Sequence, residues 1–163
     1  MDPSCLKYCL TLQERQQFEE SGFFIVKDAL PLGLVENLIA AADRIDNDHK
    51  HEFSGFGGRN HFDVIGKDDL FLELLDWPKT FPKVWSLLGW HQDSGRLNLD
   101  METSPRPRIS IKVAFFLTEC SDTDRGNFHA VPGSHLQDAI DMPDEDRDPD
   151  GAVPIRAAAG DAV

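Results

Sequence analysis

Apolar residues recur every three or four positions along the first half of the chain and every second position further on. Helices are therefore expected first and strands after them. Thr11 precedes Leu12, and Glu14 lies three positions beyond Thr11, a spacing that predicts a capping box and a helix running through Phe18 to a stop near Gly22. Phe23-Phe24-Ile25-Val26 reads as a short buried strand, because aromatic and β-branched residues suit a pleated, half-buried surface. Pro31 opens a second helix whose apolar face is Leu34, Leu38, Ala41 and Ile45 and whose end falls in the polar stretch from Asp46 to Lys50. The glycine-rich stretch from His51 to Asn60 is expected to be a loop. Leu70 to Leu75 and Pro82 to Leu88 are expected to be short helices on either side of Trp77-Pro78.

After Gly89 the pattern becomes extended. Ile109, Ile111, Val113, Phe115 and Leu117 alternate with Ser110, Lys112, Ala114, Phe116 and Thr118, which predicts the main strand of the protein. Asp122 to Gly126 reads as a turn, Asn127 to Val131 as a second strand paired with the first, and Pro132-Gly133 as its stop. A further strand starts near Val153, with a turn at Gly160-Asp161. Helices followed by antiparallel strands predict a β-rich core under an N-terminal helical layer. At 163 residues the chain has room for one domain with a real core, with residues 1–89 as the helical layer and 90–163 as the β part.

Charge narrows the partners. A formal net charge of -13 excludes the basic footprint that nucleic acid or an anionic membrane surface requires. Much of the excess lies between Asp138 and Asp150, where seven acids stand against Arg147 alone and two prolines interrupt the run, so a solvated loop is expected. No apolar run is long enough to span a bilayer, and the N-terminus shows no basic segment leading into an apolar one. The three cysteines, Cys5, Cys9 and Cys120, have neither zinc-site nor disulfide spacing and suit a reducing compartment, so a cytoplasmic protein is expected.

The candidate chemistry is Trp90-His91-Gln92-Asp93. On an extended backbone His91 and Asp93 point the same way, which makes them a ready pair of metal ligands, and two histidines with one carboxylate form the facial triad of non-haem iron oxygenases. The spacing alone is weak evidence, since His61-Phe62-Asp63 repeats it without a sheet to hold it. His129 reads as a half-buried strand residue. His135 either caps a helix through Ser134 or bonds backbone, with metal ligation the less favoured role. No nucleophile elbow and no phosphate-cradling glycine loop is present.

Several stretches together carry a family resemblance. The helix from Thr11 leading into Ser21-Gly22-Phe23-Phe24-Ile25-Val26 is followed by Trp90-His91-Gln92-Asp93-Ser94-Gly95 and then by Ser110 to Thr118. Arg125-Gly126-Asn127, Pro132-Gly133-Ser134-His135 and Ala159-Gly160-Asp161-Ala162-Val163 come after. In this order they resemble the phytanoyl-CoA dioxygenase family. The resemblance implies a mostly β fold with N-terminal helices, a double-stranded β-helix or jelly roll, incomplete in this chain. It also implies a dioxygenase that uses Fe(II), 2-oxoglutarate and O2 to hydroxylate a small organic or lipid-like substrate. By position His91 and Asp93 match the first two iron ligands, and Lys112, on the polar side of the main strand, is a candidate charge for 2-oxoglutarate, set against a plain solvated or ion-paired lysine.

Two departures qualify the implication. The family's second iron histidine and its 2-oxoglutarate arginine follow the Gly-Asp-Ala-Val turn, and no residue of this chain matches them. Two Gly-Trp sites of the family also look fused at Gly89-Trp90, as if a core strand were skipped and a sheet edge left open. The expectation is an incomplete iron site without turnover. The rival expectation is a non-catalytic jelly-roll or cupin-like binding module, or a remnant of the family, in which His91 and Asp93 are only structural.

Overall fold

The computed structural model describes residues 3–49, 54–55, 58–88, 111–137, 143 and 147–163. Its N-terminal part follows the local rules closely. A 3-10 turn, Pro3–Tyr8, leads into α1, Leu12–Ser21. Both halves of the capping box are made: the Glu14 N–H donates to Thr11 Oγ1 at 3.2 Å and the Thr11 N–H to Glu14 Oε2 at 2.9 Å. Thr11→Ala is expected to cost about 1 kcal/mol, read as a lower urea midpoint at unchanged m-value.

Gly22 ends α1 in the left-handed region (φ 86°), with its N–H on Phe18 O at 2.8 Å. A side chain there would also collide with the ring of His135, whose Nδ1 lies 2.6 Å from where a Cβ would sit.

The second helix, α2, spans Leu32–Asp48. Pro31 is extended (ψ 144°) and stands as the N-cap rather than inside the first turn. Its buried stripe is Val35, Leu38, Ala41 and Ile45, one step round from the expected face at its start, where Leu34 is only half-buried. Leu30, Val35 and Leu38 form the centre of the core. Leu70, Phe71, Leu74 and Trp77 pack on it from the middle of the chain, and Phe115, Leu117 and Ala159 from its end. Trp77 completes its burial by donating its indole N–H to Ala29 O at 2.7 Å.

Between these elements lie the hairpin of β1, Ser54–Gly55, and β2, Gly58–Arg59; the single turn α3, Val64–Lys67; a 3-10 helix, Asp69–Leu74; and α4, Phe81–Leu88. α4 docks on α1 through Lys83, only 7% exposed, whose ammonium lies 2.8 Å from both oxygens of Glu14. Burial pushes the Glu14 carboxyl up, but bonds from Lys83 and Thr11 outweigh it and hold the group below the usual glutamate range.

The second half corrects the expected fold. Helices dominate the described residues, and the strands among them are two residues long: β1 with β2, and β3, His129–Ala130, with β4, Val153–Pro154. No closed barrel or double-stranded β-helix is formed by these residues. The stretch 111–118 bridges at one residue, Phe115 opposite Ala162, which also bridges Val26 from the expected N-terminal strand. Alternating apolar residues make a segment extended, but the partner sets the length of a ladder. Here the partner is the short run from Gly160 to Val163, which meets 114–116 on one side and Val26 on the other.

Asn127 to Val131 pairs with β4 instead of with the main strand. The Asn127 side-chain amide fixes this pairing from one end, donating to Cys120 O at 2.9 Å and Ile155 O at 3.1 Å. Asp122 to Gly126 is a run of bends, as the expected turn requires, and among the described residues of the acidic run 147, 148 and 150 are exposed while Pro143 and Pro149 are half-buried. No helix of the described residues is long and apolar enough to cross a membrane.

Candidate functional site

His91 and Asp93 lie outside the described residues, as does the Gly89-Trp90 junction. Lys112 is placed, and it is exposed on the extended segment before Phe115.

Three of the described histidines, His61, His135 and His129, have defined surroundings. His61 turns away from Asp63: its Nε2 lies 2.9 Å from Asp46 Oδ1 at the end of α2, while Asp63 takes a left-handed conformation (φ 53°) and accepts the Gly66 N–H to cap α3. The two side chains of His61-x-Asp63 thus serve different elements. One anomaly remains, since His61 Nδ1 is buried without a hydrogen-bond partner.

His135 bonds backbone, as one of the two expected readings had it. Its Nε2 lies 3.1 Å from Glu19 O and its ring leans on Phe18, while the Gly133 N–H donates to Ser21 O at 3.0 Å. The Pro132-Gly133-Ser134-His135 turn therefore satisfies carbonyls that the end of α1 leaves open. The exposed His129 stands 3.7 Å from Asp148 Oδ2 and lines, with Thr123, Asp124, Gly126, Asn127 and Pro154, a hollow of about 530 Å³.

A buried carboxylate that the histidine spacing did not single out ties three parts of the described chain together. Asp161, 2% exposed, accepts the Lys27 ammonium on Oδ2 at 2.6 Å, the Ala158 N–H on Oδ2 at 2.9 Å and the Asp28 N–H on Oδ1 at 2.9 Å. Burial pushes its carboxyl up, but the Lys27 ammonium and the two backbone donors prevail and hold it below the usual aspartate range. The preceding residue makes the approach possible. Gly160 sits at φ 93°, and a Cβ there would lie 2.9 Å from Leu30 O, to whose residue Gly160 O is bonded through the Leu30 N–H at 2.8 Å.

The turn at Gly160-Asp161 was legible in the sequence; the bond from the Ala158 N–H to its carboxylate was not. Nor were its partners at Lys27 and Asp28. Both oxygens are taken by fixed donors, so Asp161 is built to fasten the chain rather than to exchange protons with a substrate.

No group of three His, Cys, Asp or Glu among the described residues could hold a metal. Cys5 and Cys120 are buried, Cys9 is exposed, and all three are free thiols. The described residues therefore do not fit an iron centre. Together with the helical, unclosed architecture of the described residues, this overturns the expected jelly-roll dioxygenase and, equally, its cupin-like alternative.

Among known proteins, the model of the phytanoyl-CoA dioxygenase family matches residues 75–163, a span that takes in His91, Asp93 and Lys112. No curated protein matches the chain. The family goes in general with iron and 2-oxoglutarate chemistry, and no metal-binding cluster is present among the described residues. With more than half of its length matched, the chain belongs to the phytanoyl-CoA dioxygenase family.

Proposed function

We propose that the function carried by this chain is binding of a divalent metal, Fe(II), through His91 and Asp93, with 2-oxoglutarate as the small molecule that meets the metal and Lys112 as its counter-charge. Hydroxylation is not part of the proposal. The observation that carries it is that the family match contains the His91-Gln92-Asp93 stretch in full. An imidazole and a carboxylate are the donor types Fe(II) takes in such proteins, and two donors hold it less firmly than three. Lys112, exposed and on the same matched span, offers a positive charge of the kind that pairs with a carboxylate of 2-oxoglutarate. Free thiols at all three cysteines support a reducing compartment such as the cytoplasm. The shared core of Leu38, Trp77 and Phe115 supports one folding unit over the whole chain.

Anaerobic equilibrium dialysis against Fe(II) tests the proposal. One metal per chain is expected, lost in both His91→Ala and Asp93→Ala. Lys112→Ala is expected to keep the metal and lose 2-oxoglutarate. Metal uptake that persists undiminished in both ligand variants, or no uptake by the parent chain, refutes the assignment.

A further inference from the structure

We draw no further inference here: the strongest candidate, the Asp46–His61 pair at the end of α2 with one buried ring nitrogen lacking a hydrogen-bond partner, has no further metal-ligating group arranged around it among the described residues, and nothing in the structure shows what would reach that nitrogen.

Discussion

Asp161→Ala is expected to destabilise the protein by about 2–6 kcal/mol, the sum of two backbone donors left without an acceptor at roughly 1–3 kcal/mol each. The donors are the N–H groups of Asp28 and Ala158, which meet the carboxylate at 2.9 Å. The ion pair adds little to this figure, because the Lys27 side chain is 63% exposed and water can take over its ammonium. Asp161→Asn is expected to cost nearly as much although it is isosteric. An amide offers one acceptor and one NH2, and all three groups around Asp161 are donors, so either orientation sets a donor against a donor. Urea denaturation of the two variants checks both statements; a neutral Asn variant would show that shape, not acceptor pattern, is what the site requires.

The same residue predicts a pH dependence. The folded carboxyl titrates below its unfolded value of about 3.9, so its stabilisation is complete above that pH and is lost as the pH falls through the lower folded value. The stability difference between parent and Asp161→Ala should therefore be constant from about pH 5 to 7 and shrink below about pH 4. The variant should keep a smaller acid loss of its own, because Glu14 is also held below its ordinary range.

Leu38→Ala is expected to cost about 2–5 kcal/mol, by a different route. Leu38 is fully buried between Leu30 and Val35, and the residues packed on this cluster come from the helical region and from the end of the chain alike. Truncation removes the transfer energy of the side chain and leaves a cavity that cannot collapse, since α2 and the chain segments around it are fixed by their own hydrogen bonds. The loss should appear as a lower midpoint by tryptophan fluorescence, which reports Trp77 on that core. Leu34→Ala, on the half-buried side of the same helix, should cost less.

How much of this was legible in the sequence depends on the range of each interaction. The start of α1 could be read because Thr11 and Glu14 are three residues apart, and its stop because Gly22 supplies the left-handed residue that a helix end uses. The α2 stripe was legible to within one position: a helical period fixes which residues share a face, while packing against Leu30 decides that Val35 and not Leu34 leads it. α3 was missed because it is one turn long and starts at an aspartate in a left-handed conformation, which no periodicity announces.

Strand pairing was misread for a related reason. The alternation from Ile109 to Leu117 describes a segment and not its partner, and the partner is a turn that offers only a few residues. Asn127 to Val131 was matched to the nearest strand in sequence, whereas Asn127 ties it to Ile155. Asp161 was read only as part of a turn, because its partners Lys27 and Asp28 lie more than 130 residues away in the chain. For the site, His91 and Asp93 lie within the family match in sequence and outside the described residues, and those described residues form helices and short bridges where a barrel was expected.

The central structural claim is that the turn from Ala158 to Val163, docked between Val26 and Phe115 and locked by Asp161, is what closes the fold in place of a β-sandwich. Native-state hydrogen exchange at Val26, Leu30, Phe116, Gly160 and Ala162 tests it most directly, since each of these N–H groups is bonded across that junction. These amides should open with the same free energy as those of Leu38 and Ala41 inside α2, because turn and helix share one core. Exchange of the junction amides near the rate of an unfolded chain, while α2 stays protected, would contradict the claim.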